Sequence, residues 1–497
     1  MRGRGVKLAL LAGATLVAAP ASADTLREAL IEAYRGNPTL QSARAQQRAT
    51  DENVPIEKSA GRPDIGATGR YTEYLKQSST NFAAPEREVN LGVELGVPIY
   101  SGGAVKNAVR AAEERVQAGQ AELRGTESAV FSLVVAAYMD VIRNEAIVGL
   151  AANQVDVLST NLQATSDRFE IGDLTRTDVA QSEARLAVAQ SDLRAAQANL
   201  IAAREDYIAL VGQAPTDLQP PPPLPGLPNT PDEAVTVALE NNPDLIAARE
   251  RAEAAGYDIE VAGAGRLPRV SLFTGYSYNN YLGTLGGAIV DDPTLPSEDV
   301  SQSSSGAQAG VSISIPIFQG GRPAALQRQA QARASAALED IIAAERDVIA
   351  QVRAAYSSWQ ASLAIIESSQ AAVSAADLSL EGVRAENSIG NRTILDVLNA
   401  EQELLNAQVE LVTARRNAYV AGFSLLAAMG RAEARDLGLE SEGLLYDPQL
   451  NFERVEGKWF DWDRDPDPVP QSTRTVDIPA QDAEIPGSES QPASATD

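Results

Sequence analysis

The sequence predicts an α+β membrane protein built as an internal duplication, each half joining a pair of amphipathic strands to a long coiled-coil hairpin. Three observations predict it. The same short motifs occur twice in the same order. Apolar and polar residues alternate strictly from Val89 to Ile99. Two stretches of about seventy residues free of proline carry an apolar seam of period seven.

The duplication organises everything else. Thr25, Glu28, Asn37-Pro38 and Arg62-Pro63 recur as Thr230, Glu233, Asn242-Pro243 and Leu267-Pro268, all at one offset. Val97-Pro98-Ile99-Tyr100-Ser101-Gly102-Gly103 recurs as Ile315-Pro316-Ile317-Phe318-Gln319-Gly320-Gly321 at a second offset. That offset holds for Gly172 and Gly390, Asp178-Val179 and Asp396-Val397, and Gly212 and Gly430. A constant register over so long a span means elements of equal length. The second half is longer only between Pro268 and Pro316.

Each half opens with a capped helix. Thr25 with Glu28, and Thr230 with Glu233, have the spacing of capping boxes. Asn37 and Asn242, each before a proline, start a second helix. Strands follow: Val89 to Ile99 with a partner near Ile65 to Leu75, and Val311 to Ile317 with a partner near Val270 to Tyr278. Tyrosines 71, 74, 276, 278 and 281 lie toward the strand ends.

A long helix is expected from each Gly-Gly to Gly172 or Gly390, a rod of about 100 Å at 1.5 Å per residue. Its seam reads Val134, Val141, Val148, Val155, Leu162, and then Val352, Trp359, Ile366, Val373, Leu380. A sevenfold seam implies left-handed coiled-coil packing. The return helices, about Thr175 to Gly212 and Thr393 to Gly430, are too short to match the rod. The helix after each Asn-Pro would have to continue them, end to end.

Composition excludes most chemistry. The chain has 497 residues, no His and no Cys, so imidazole bases, thiolate nucleophiles and His- or Cys-liganded metals are excluded. No cofactor is called for, and enzymes are not favoured; a hydrolase working with carboxylates alone is the remote alternative. The formal charge of -26 argues against nucleic acid.

Residues 1–23 have the basic start, apolar stretch and Ala21-Ser22-Ala23 site of a secretory signal. No later run is long and apolar enough to suggest a transmembrane helix. The first repeat spans 24–213 and the second 232–450. They are separated by a Pro-rich linker, 214–231, containing Pro220 to Pro223. The acidic tail, 451–497, is expected to be disordered and removable after Lys458, because it lacks apolar residues to bury.

Four amphipathic strands cannot close a barrel, since single-chain barrels start at eight. Either a four-stranded sheet lies beside a coiled coil in a structural protein without a pore, or several chains pool strands into one barrel. Strands of about ten residues with tyrosines near their ends favour the barrel. The coiled coils, repeated around the same ring, would then form a tube.

The doubled order of capped helix, Asn-Pro, strand pair, Pro-Ile-Tyr-Ser-Gly-Gly, long helix, Gly-x-x-Thr-x-x-Asp-Val and return helix resembles the TolC family, from about Asp24 to Leu450. Thr25 to Leu30 and Arg48 to Pro55 look most like its type I secretion branch. The resemblance implies a homotrimer whose barrel sits in the outer membrane lipid and continues as a helical tunnel through the periplasm. Its partners would be a periplasmic adaptor protein and an inner-membrane ABC or proton-driven transporter. It would be an exit duct for secreted protein, for drugs, or for both.

The tips at Gly172 and Gly390 would be adaptor-docking turns. Thr175 with Asp178, and Thr393 with Asp396, are first of all helix caps. By resemblance, Asp396 also belongs to an acidic ring that narrows the pore. Arg392 would tie neighbouring coils shut by reaching Thr177 and Asp178 on a facing tip. Asn399 and Asn387 depart from the family's pore Asp and locking Tyr, which implies a closed state with less charge and a weaker lock.

Overall fold

A computed structural model describes residues 24–76, 84–285, 300–439 and 445–485. The expected signal, parts of both strand-connecting loops and the end of the tail lie outside the described residues. The first half comprises α1 (Leu26–Gly36), α2 (Pro38–Asp51), α3 (Asn53–Ser59), β1 (Asp64–Glu73), β2 (Arg87–Tyr100), α4 (Ala104–Glu170) and α5 (Arg176–Val211). The second comprises α6 (Pro231–Asn241), α7 (Pro243–Gly263), β3 (Arg269–Asn280), β4 (Ser303–Ser314), α8 (Arg322–Ser388) and α9 (Ile394–Ala428), with α10 (Pro448–Glu456) after it.

The duplication is visible in the backbone. Helices α4 and α8 have 67 residues each. The β1–β2 ladder pairs Ile65 with Leu95, and the β3–β4 ladder pairs Val270 with Ile313, their repeat equivalents. The two hairpins therefore share one register, which the alternating apolar face enforces, because a slip of one residue would invert it. The β4 strand stops at Ser314, short of the expected Ile317; Pro316, which lacks an N–H, lies two residues beyond its end. All four strands form one antiparallel sheet in sequence order, leaving β1 and β4 as edges.

Capping explains the helix starts. Thr25 and Glu28 form the full reciprocal box. At Thr230 only half of it forms: the hydroxyl accepts from Glu233 N, while the Glu233 carboxylate accepts from Asn229 N at 3.0 Å. Asn37 and Asn242 have the same two roles. Each side-chain oxygen accepts from the first turn of its helix, and each Nδ2 donates to the end of a return helix. Asn37 donates to Leu210 O at 2.9 Å, and Asn242 to Ala428 O at 3.0 Å. The end-to-end junctions expected from helix lengths are thus α5 with α2, and α9 with α7.

Packing follows the seam. Val134, Val141, Val148, Val352 and Leu380 are buried, and the other seam residues are half-buried. The main core lies at the junctions, where Leu30, Tyr34, Phe131, Val134, Tyr138, Leu200, Tyr207, Phe423 and Leu426 close together. Tyr138 is fully buried, yet its hydroxyl donates to Gln219 O at 2.6 Å, so that hydroxyl is not stranded. Helix α4 is long and apolar enough to cross a bilayer, contrary to the expectation from the sequence, but half of its most apolar window lies in this core. At Gly430 (φ +69°) a Cβ would lie 2.4 Å from Asn241 O, so only glycine permits this approach.

The tail departs from the expectation of disorder. Residues 448–456 are helical as α10, and the largely exposed chain beyond it touches the first half at Lys458, Thr473, Gln481, Asp482 and Glu484. Arg204, which is 6% exposed, donates to the backbone oxygens of Asp482 and Glu484 at 2.9 and 2.8 Å and to Glu145 at 2.8 Å. Ala483 and Ile485 pack on the main core. Low apolar content misled because the tail is held by polar bonds to a buried arginine and needs little apolar area of its own.

Candidate functional site

Both hairpin tips are tight turns set by glycine. Gly172 (φ +88°) and Gly390 (φ +80°) adopt the left-handed conformation that ends α4 and α8. Three residues later, Thr175 and Thr393 cap the return helices. The Thr393 hydroxyl donates to Asp396 Oδ2 at 2.8 Å, Thr393 N donates to the same oxygen at 3.0 Å, and Asp396 N donates back to the hydroxyl at 3.3 Å. Thr175 and Asp178 repeat this box at 2.7, 2.9 and 3.3 Å. Hydrogen bonds from the threonine hydroxyl and backbone hold both Asp178 and Asp396 below the usual carboxylate range, so both carboxylates are ionised at neutral pH.

The rest of the turn differs between halves. At the first tip, Arg168 precedes the glycine and donates to Asp173 after it, at 2.9 and 2.7 Å. At the second, the charges are reversed in order: Arg392 follows the glycine and donates to Glu386 before it, at 2.7 Å. Within one chain, then, Arg392 is engaged by its own turn, while Asp178 is engaged by Thr175; the expected bridge between them is not formed there. Thr177 is exposed. Asn387 donates to Arg392 O at 2.8 Å, fixing the turn from inside.

Above the tips lies a set of contacts that the motifs did not reveal. Glu401 of α9 is 3% exposed and accepts from Asn161 of α4 at 2.9 Å and from Arg384 of α8 at 3.0 Å. One carboxylate thus joins both hairpins. Arg185 of α5 donates to Asn399 of α9 at 2.7 Å, which gives this asparagine a role as an acceptor between return helices. The available signal was Glu401 itself, a charge one turn after the buried Val397 and Leu398.

The sheet has two distinct faces. Cross-strand partners share a face. One face carries Leu95 opposite Ile65 and Thr274, Val93 opposite Tyr276, and Leu272 opposite Val311. The other carries Gly66 opposite Glu94, Glu94 opposite Gly275, and Gly275 opposite Gln308, and is indented by a groove. An apolar outside and a polar, glycine-rich inside are the requirements of a water-filled barrel in lipid.

Among the described residues, one acidic trio gathers closely: Glu114 with Glu250 and Glu253, between α4 and α7. Burial, and then the Glu250 hydrogen bond, push Glu114 up to about 7.

Comparison with known proteins bears on the family and the fold. The family described as outer membrane efflux protein matches residues 29–213 and 234–431, one segment per repeat. The outer membrane efflux protein BepC of Brucella suis is 34% identical over 451 residues, covering 91% of this chain and 94% of that protein. The outer membrane protein TolC of Vibrio cholerae is 26% identical, covering 85% of this chain and 94% of that protein. In fold, the chain is similar to the CmeC outer membrane channel of Campylobacter jejuni, with a TM-score of 0.70, 17% identity, and coverage of 87% of this chain and 89% of that one. The duplicated hairpins, the two-faced sheet and these relatives together place the chain in the outer membrane efflux protein family, as an outer-membrane channel with a periplasmic helical tunnel.

Proposed function

We propose that three copies of the chain pool their sheets into one twelve-stranded barrel and their hairpins into one tunnel, open to solutes from the periplasm to the outside. The observation that carries this is the two-faced sheet with both edges free. A sheet in lipid must have its edges paired, and β1 and β4 are the strands left to pair. Exposed apolar residues on α8, among them Leu338, Ile342 and Leu378, supply a surface for neighbouring coils. A structural coiled-coil protein without a pore gives a two-faced sheet reason to pack its apolar face on a core, but no reason to leave Ile65, Leu91, Val93, Val311 and Ile313 exposed on it.

The chain acts as a conduit and not as a catalyst. Its tips, each an exposed glycine turn with a capped anionic helix start, are the surfaces offered to a periplasmic adaptor and, beyond it, an inner-membrane ABC or proton-driven transporter. Similarity to a protein named for efflux supports export of small molecules, and the resemblance of Thr25 to Leu30 and Arg48 to Pro55 supports type I secretion. The Asp396 carboxylates, three per assembly, would make the narrow end favour cations. Planar bilayers holding the purified protein test this reading. Discrete, cation-selective conductance steps are expected, and well-assembled protein that never conducts would contradict it.

A further inference from the structure

The segment Trp459-Phe460-Asp461-Trp462 exposes three aromatic rings: Trp459 is 56% exposed, Phe460 78% and Trp462 96%. The channel reading gives them no task. Yet the segment is held in place. Arg62 donates to Lys458 O at 2.6 Å, and its guanidinium lies 4.6 Å from the Trp459 ring centre. Arg454 grips Asp465 at 2.7 and 2.8 Å. Lys58 reaches Glu456 at 3.4 Å.

Its position is specific. Arg62 stands two residues before β1, so the aromatics lie where helices give way to strands. A groove there is lined by Ile56, Ile65, Phe460 and Trp462. Ile65, paired with Leu95, belongs to the apolar face of the sheet. The aromatic segment therefore extends the lipid-facing band at its periplasmic edge. At the far edge the strands bring their own aromatics, Tyr71, Tyr276 and Tyr278; near the helices, Tyr100 is the aromatic that β2 adds to the apolar face.

We propose that Trp459, Phe460 and Trp462 form an interfacial anchor that seats the base of the barrel among the phospholipid headgroups of the periplasmic leaflet. Aromatic girdles mark both rims of outer-membrane barrels, and tryptophan suits the interface because its ring is apolar while its N–H stays wet. The neighbouring charges fit that setting. Asp463 and Asp465 are paired with Lys458 and Arg454, and Asp461 and Arg464 remain exposed. A dry contact with a second protein chain would bury these charges at a cost; a headgroup layer leaves them hydrated. The inference rests on the outer-membrane placement of the chain and not on the number of copies.

Two of the chain's three tryptophans lie in this segment, so fluorescence reports on it once Trp359 is subtracted. The full chain and a Trp459→Phe, Trp462→Phe variant are placed in phosphatidylcholine bilayers with bromine either near the headgroup or near the chain end. The difference signal between the two proteins should be lost to the shallow bromines and spared by the deep ones. Signal untouched by either lipid but quenched by aqueous acrylamide would overturn the anchor by showing free side chains. Signal untouched by lipid and by acrylamide would overturn it in favour of a neighbouring chain.

Discussion

Asn242 donates its Nδ2 hydrogen to the Ala428 carbonyl oxygen at 3.0 Å while its Oδ1 caps the first turn of α7. One buried side chain thus ends one helix and begins the next, and Asn37 repeats the arrangement with Leu210. Asn242→Ala removes both bonds and should lower stability by about 1–3 kcal/mol. Asn242→Asp keeps the cap and loses the donor, so its melting temperature should fall between those of wild type and alanine. Equal losses in the two variants would assign the whole effect to the donor.

The tail should matter to stability. Arg204→Ala strands Glu145, which is 18% exposed at its side chain, and releases the backbone at Asp482 and Glu484. A loss of about 3 kcal/mol is expected, within the usual range for breaking a buried pair. Truncation after Lys458 should lower the melting temperature as well, reversing what composition alone suggests. Unchanged melting after truncation would show that the docked tail contributes nothing.

The two carboxylates near the tip should separate by phenotype. Asp396→Asn keeps its shape and removes one charge per chain, so cation selectivity should fall with little change in melting. Glu401→Ala leaves Asn161 and Arg384 without their shared acceptor. It should cost about 1–3 kcal/mol and raise conductance by loosening one hairpin against the other. Reversal potentials and thermal melts on the same preparations check both. Unchanged selectivity in Asp396→Asn would restrict that residue to capping.

Glu127 should make stability depend on pH. Burial pushes its carboxyl up to about 7 from an ordinary 4.5, against the Ala434 N–H, which lowers it. The folded state therefore holds a proton that the unfolded chain releases between these values. Stability should be highest on the acid side, fall as pH rises from about 4.5 to about 7, and level off above. Glu127→Gln retains an acceptor for Ala434 N and should flatten this slope and melt higher than wild type at pH 8. Parallel pH profiles for the two proteins would contradict the assignment.

Much of the fold was legible because repetition doubled every signal. Helix starts, strand faces and hairpin turns each appeared twice, so chance matches could be discarded. The site was less legible where contacts join distant segments of one chain. Thr393 and Asp396 lie three residues apart and announce a cap, whereas Glu401 meets Asn161 across 240 positions. The tail failed for the same reason: its anchor, Arg204, lies on α5 and shows no sign in the local sequence of what it holds.

The most direct test of the account is the seam between copies. The two halves are equivalent, so the β2–β3 pairing of Glu94 with Gly275 projects onto Ser312 of one chain opposite Arg70 of the next. The chain has no cysteine of its own. Oxidation of an Arg70→Cys, Ser312→Cys double variant in membranes should give covalent dimers and trimers, with nothing larger, while each single variant stays monomeric in denaturing gels. Failure to link, in protein that still folds and inserts, or a ladder that runs past three, would contradict the closed three-chain barrel.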